Sequence, residues 1–212
     1  MYFGAYDGIN SVDLWKSNGT AEGTVLVSDV AVSGGNSLYK SLVVAGNLIY
    51  YVVTDRVPNV ERRNLLVKTD GTNQGTTIVK NVYPNDANSF LSKRVAVNDI
   101  IFFIGFANDI FDDIPGEVLW QSDGTEQGTI PLREFSMYDY YELYTRNMTA
   151  LNGILYFVPR GIVNPREGNQ TGDQLWRSEG TVEGTQVVKQ IGSKDVRQAA
   201  QPICQGFQPL KS

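Results

Sequence analysis

Leu119-Trp120-Gln121-Ser122-Asp123-Gly124-Thr125, followed by a second Gly-Thr at Gly128-Thr129, decides the fold because the chain writes it four times. The other copies are Leu14-Trp15-Lys16-Ser17-Asn18-Gly19-Thr20, Leu66-Val67-Lys68-Thr69-Asp70-Gly71-Thr72 and Leu175-Trp176-Arg177-Ser178-Glu179-Gly180-Thr181, with second Gly-Thr pairs at Gly23-Thr24, Gly75-Thr76 and Gly184-Thr185. Trp15, Val67, Trp120 and Trp176 stand 52, 53 and 56 residues apart. A fixed long period of this kind marks a repeat architecture, in which each unit covers the apolar surface of its neighbour.

Working outward, each unit predicts four short strands. A first strand ends in a turn pair, at Gly46-Asn47, Asn98-Asp99 and Asn152-Gly153, the residue types of a tight hairpin. A dense apolar second strand follows, at Leu48 to Val53, Ile100 to Phe106 and Ile154 to Val158, and Tyr2 to Tyr6 is its counterpart in the first unit. The third strand carries the Leu-Trp pair and the fourth begins after the second Gly-Thr. Adjacent residues of a strand point to opposite faces, so a strand with Leu and Trp side by side needs apolar neighbours on both sides. Radially stacked blades meet that need, whereas a sandwich buries one face of each sheet and gives cleaner alternation. The expected fold is therefore all-β and β-propeller-like, with four blades of four antiparallel strands. It is expected to form a single repeat domain, 1–212, with units at about 1–30, 37–82, 90–135 and 144–191.

The first unit has no first strand of its own, and the segment at about 196–206 stands where a fifth first strand would. That segment is expected to complete the sheet begun at Tyr2, either closing the ring within one molecule or linking to a neighbour by strand exchange. The Asp-Gly-Thr stretch between strands three and four is expected to be a hairpin loop held by its own side chains. Gly adopts positive φ freely there, and Asp or Asn bonds the backbone N–H groups ahead of it. One carboxylate per loop is too few for calcium, which needs several converging oxygens.

Leu-Trp-x-Ser-Asp-Gly-Thr-x-x-Gly-Thr resembles the ELWxSDGTxxGT repeats of large secreted and surface proteins, chiefly bacterial, and the resemblance runs through all four units. It implies a propeller-like architecture and an extracellular or cell-surface location, and it transfers no catalytic residue. The chain departs from the pattern at Val67 in place of Trp, at Asn18 and Glu179 in place of Asp, and at Pro131, which suits an edge strand because it lacks a donor.

Composition narrows the chemistry. The 212 residues contain no His and one Cys, Cys204, which removes Ser-His-Asp and Cys-His catalysis, the commonest zinc ligands and any intrachain disulfide. Cys204 reads as a small buried hydrophobe. A net charge of −5 with scattered Lys and Arg argues against nucleic acid as a partner. The apolar stretches fall short of the roughly 20 residues of a membrane helix, so no membrane insertion is expected. Met1 is followed directly by Tyr2-Phe3-Gly4-Ala5-Tyr6-Asp7, which has neither the basic nor the apolar region of a leader. No cofactor or metal is expected.

Sites are expected on the variable connections, which open on one rim of a blade array. One constellation is Asp109, Asp112 and Asp113 with Glu117, carboxylates that could serve a glycoside hydrolase as acid and base or could bind calcium, or could simply be solvated. The other is Tyr138, Tyr140 and Tyr141, with Tyr144 nearby, aromatics suited to stacking on sugar rings or filling a protein interface, and equally suited to burial between blades. Asn18, Asn147 and Asn169 begin Asn-x-Thr sequons, of which Asn169 lies in the longest connection and Asn18 in a tight turn. Three functions follow from these features. The first is a non-enzymatic module binding carbohydrate or protein for adhesion, the second a self-assembling surface or filament subunit, and the third, ranked last, a carboxylate-dependent glycoside hydrolase or lyase.

Overall fold

The structure, a computed structural model, describes residues 1–8, 12–28, 40–55, 63–82, 90–108, 115–136, 145, 147–159, 163–164, 169–170 and 173–191. Among them the only regular elements are strands, most of which form four successive antiparallel sheets. The first sheet holds β1 (Tyr2–Tyr6), β2 (Val12–Lys16) and β3 (Val25–Ser28). The second holds β4 (Lys40–Ala45), β5 (Leu48–Asp55), β6 (Arg63–Thr69) and β7 (Thr77–Asn81), and the third β8 (Phe90–Val97), β9 (Ile100–Asn108), β10 (Pro115–Ser122) and β11 (Ile130–Ser136). The fourth holds β12 (Met148–Leu151), β13 (Ile154–Phe157), β16 (Gln174–Ser178) and β17 (Gln186–Gln190), and a two-stranded hairpin, β14 (Val163–Asn164) with β15 (Asn169–Gln170), lies in the connection from β13 to β16.

Within each sheet, strands adjacent in sequence are adjacent in space, joined by hairpins. The expected turn pairs close the first hairpin of three sheets. Gly46, Asn98, Asn152 and Gly153 all take positive φ there, which is why Gly or Asn occupies those positions. The first strands β4, β8 and β12 lie against one another in turn. The first sheet begins with its second strand, as the repeat alignment requires, and β1 is its edge among the described residues. The expected closing strand, 196–206, and Cys204 lie outside the described residues.

Opposite faces of each strand enter different clusters. In β5, Tyr51 and Val53 pack with Leu14 and Val27 of the first sheet, whereas Tyr50 and Val52 pack with Phe103 and Trp120 of the third. In β9, Phe103 joins that second cluster and Phe102 and Ile104 join a third, with Leu155, Phe157 and Trp176 of the fourth sheet. The core is thus three seams between four sheets stacked face to face, and the two inner sheets are buried on both sides. This is the physical reason for the missing alternation in their second strands.

The Trp residues obey one rule. Trp120 faces the preceding sheet at 8% exposure and Trp176 at 4%, with Val67 filling the same place in the second sheet. Trp15 departs from full burial between sheets, being only partly buried, because no other sheet packs on that face among the described residues. Pro131 is exposed on the edge strand β11, where its missing N–H breaks no ladder bond inside the sheet.

Candidate functional site

The two ends of the stack differ in kind. At one end lie the hairpins between strands three and four, and all four share the same Thr hydrogen bonds. Asn18, Asp70 and Asp123 each accept from the backbone N–H two residues ahead, at 3.0, 2.8 and 2.8 Å, and from that residue's Thr hydroxyl. The same Thr, at positions 20, 72, 125 and 181, accepts in turn from the backbone N–H of the second Gly at 2.9 to 3.0 Å. The hydroxyl of the second Thr donates to the first Thr's carbonyl at 2.6 Å in every copy. A Cβ on Gly75 or Gly128 would collide with the carboxylate of Asp70 or Asp123, so Gly is obligatory there. The Thr72 and Thr125 hydroxyls, followed by their backbone N–H groups, hold the Asp70 and Asp123 carboxyls below their ordinary value. Glu179 is the exception, since it makes an ion pair with Arg177 instead of capping its loop. These loops are structural, and the Asp70 and Asp123 carboxylates are committed inside their own turns.

At the other end are the connections from strand two to strand three and from strand four to the next first strand. An antiparallel up-and-down order puts both kinds at the same edge of every sheet. Asp109, Asp112, Asp113, Tyr138, Tyr140, Tyr141 and Tyr144 all fall in such connections, at 109–114 and 137–144, and lie outside the described residues. What the structure does describe is where these two connections end. Glu117, the third residue of β10, is buried, and its carboxylate accepts from the Thr145 backbone N–H at 2.8 and 3.1 Å and from the Thr145 hydroxyl at 2.7 Å. Thr145 is buried too, and it is the residue at which the tyrosine-rich connection returns. The ends of the acidic and aromatic connections are therefore fastened together through one carboxylate.

Burial raises the Glu117 carboxyl above its ordinary value, while the Thr145 hydrogen bonds and the charge of Lys93 oppose the rise. Glu117, grouped by sequence with an acidic loop, belongs instead to a strand, with both oxygens occupied. It acts as a clamp between the two connections. Among the described residues, no three acidic or cysteine side chains come together in a way that could hold a metal ion. Of the sequons, Asn147 is exposed, Asn18 is exposed with its amide oxygen engaged in the turn, and Asn169 starts β15.

Sequence reasoning passed over a set of polar residues that cross the seams. Lys16 Nζ donates to the Gly71 carbonyl at 2.9 Å and Lys68 Nζ to the Gly124 carbonyl at 2.7 Å, each from the x position of Leu-Trp-x-Ser into the next sheet's hairpin. Gln121, at the same position, packs its side-chain amide oxygen against Gly180. Lys80 reaches the carbonyls of Glu126 and Thr129, and Arg133 lies 5.3 Å from the ring centre of Trp176. The signal was available in the recurrence of a long polar residue at x in every copy.

No family model matches this chain, and no curated protein matches it. Among solved structures, a chain from a structural and mechanistic study of two prolyl endopeptidases aligns with 88% of this chain at 12% identity and a TM-score of 0.49. The alignment covers 24% of that chain, so this sequence spans about a quarter of its length. A likeness of that degree transfers neither fold nor activity.

Proposed function

We propose that the four sheets are blades of a propeller-like array and that the chain is a non-enzymatic, extracellular module that binds carbohydrate or protein through its variable connections. The observation that carries this reading is the asymmetry between the two ends. One end repeats a single rigid hairpin four times, and the other carries every connection that varies in length and composition. A scaffold that holds its framework constant and varies one rim is built to present a surface. The Glu117–Thr145 clamp adds to this by fixing the bases of the acidic and aromatic connections side by side. Tyr138, Tyr140 and Tyr141 supply the stacking surface, and Asp109, Asp112 and Asp113 supply acceptors for sugar hydroxyls or basic side chains. Residues 196–206 supply the strand that β1 lacks, from the same molecule or from a neighbour.

The test is a glycan array with the isolated chain, followed by the Tyr138→Ala, Tyr140→Ala and Tyr141→Ala triple variant. Binding that the triple variant abolishes, with the far-UV signal intact, supports the assignment. Binding that the triple variant retains removes these tyrosines from the site. Polysaccharide turnover that is lost in Asp112→Asn with Asp113→Asn would replace the binding module by the hydrolase.

A further inference from the structure

Three seams define one contact rule, and each end of the stack carries half of a fourth. Across every seam, the fourth strand of the leading sheet has a β-bulge that aims one apolar residue at the following sheet: Val27, Val79 and Leu132, exposed by 3%, 7% and 4%. The fourth sheet has the same bulge, and its residue, Val188, is 48% exposed. Leu14, Leu66 and Leu119 are fully buried in the seam, and Leu175 at the same position is not.

The first sheet shows the complementary half. Ile49, Ile101 and Leu155 receive the preceding sheet and are buried, while Met1 at that position is 80% exposed and Phe3 and Trp15 are partly bare. The first Gly of the hairpin tells the same story. Gly71, Gly124 and Gly180 are buried under Tyr2, Tyr50 and Gln121 of the sheet before, but Gly19 is exposed, with nothing within 4 Å of an added Cβ among the described residues.

We infer that the outer face of the fourth sheet docks on the outer face of the first sheet of a second copy of this chain, forming a head-to-tail contact that repeats the internal seam. The occupant follows from chemistry. The uncovered face of the fourth sheet presents Val188 and Leu175 flanked by Arg177 and Lys189, the counterparts of Lys68 and Lys80. The uncovered face of the first sheet presents Phe3 and Trp15 beside the carbonyls of Gly19, Ala21 and Thr24, the counterparts of those that Lys68 and Lys80 reach. Apolar surface meets apolar surface, as it already does at three seams, and cations meet backbone carbonyls, as Lys16 does at the first seam and Lys68 and Lys80 do at the second. Such a contact is heterologous, so it closes into a ring or propagates as a filament according to its rotation. The inference stands on the seams and not on the binding surface of the rim.

The experiment uses the full chain with Cys204→Ser, so that added thiols are the only ones. Lys80→Cys with Glu126→Cys, a pair that spans an internal seam, calibrates the reach of a bismaleimide and links within one chain. Ala21→Cys in one preparation is mixed with Lys189→Cys in another. A band at twice the chain's mass on a denaturing gel, lost when Val188→Asp is added to the second preparation, is the expected result. If instead the Ala21→Cys, Lys189→Cys double variant links only within single chains, the two faces meet in the same molecule and the inference fails. If neither arrangement links while the calibrating pair does, the faces do not meet at all, and the inference fails likewise. Glycan binding by the rim can survive any of these outcomes.

Discussion

Asp123 and Glu117 carry the same charge and do opposite things, because one is solvated in a turn and the other is buried at the start of a strand. The Asp123 carboxyl lies below its ordinary 3.8, held there by Thr125. Its contribution to stability is therefore present above that pH and is lost as pH falls through the folded value. Thr125→Val removes both the hydroxyl that donates to Asp123 and the acceptor of the Gly128 N–H. It should cost about 1–3 kcal/mol in urea denaturation and return the Asp123 titration toward ordinary values in a carbon-detected NMR titration. Glu117 runs the other way. Its folded value is raised above 4.5, so the native state holds a proton that the unfolded state has released. The stability this gives is complete below 4.5 and declines as pH rises through the folded value. Glu117→Gln has no such titration, so the advantage of wild type over the variant should shrink as pH rises above 4.5 in urea melts. An advantage that grew with pH would mean that the Thr145 hydrogen bonds outweigh burial.

At the scale of the element, the hairpins allow a controlled comparison between copies. Gly19 and Gly124 have positive φ of 98° and 86°, and each heads the same loop. Ala at either costs roughly 1–2 kcal/mol of backbone strain. At Gly124 the new Cβ also collides with the Tyr50 hydroxyl across the seam, and at Gly19 it meets nothing among the described residues. Gly124→Ala should therefore destabilise the chain clearly more than Gly19→Ala in parallel denaturation curves. Equal losses would show that the seam yields at no cost. The β-bulges belong to this scale as well. A bulge turns the apolar residue of a fourth strand toward the following sheet, a purpose that the strand's own sequence does not declare, since Val27 and Val79 sit in stretches that alternate poorly.

For the whole molecule, stability is a sum over seams and is unevenly shared. Trp176 is buried against Phe135 and Phe157 and bonds Gln174 through its indole N–H at 3.0 Å, so Trp176→Ala should cost about 3–5 kcal/mol. Trp15 is only partly buried, with no second sheet over it among the described residues, and Trp15→Ala should cost distinctly less in dilute solution, measured by the same denaturation. Amide hydrogen exchange should follow the same order, slowest in β5 and β9, which are covered on both faces, and faster in β1 and β17. Uniform protection across the four sheets would show that the end sheets are covered in solution.

The repeat, its strand count and its turns were legible because they depend on local chemistry: positive φ demands Gly or Asn at Gly46, Asn98 and Asn152, and a side-chain cap demands Asp or Asn before Gly-Thr. Burial on both faces was legible too, since adjacent Leu119 and Trp120 admit no solvent side. Which seam each residue enters was decided only in three dimensions, because a side chain's partner lies some 50 residues away and depends on the direction in which the sheets stack. The Lys16 and Lys68 contacts, and the Glu117–Thr145 clamp, belong to that second kind: a charged residue in sequence carries no mark of whether its partner is water, a carbonyl of the next sheet or the far end of a neighbouring connection. The distinction between covered and uncovered faces is likewise tertiary. Val188 and Val79 have the same type and the same place in the repeat, and only the presence of a following sheet separates one that is buried from one that is not.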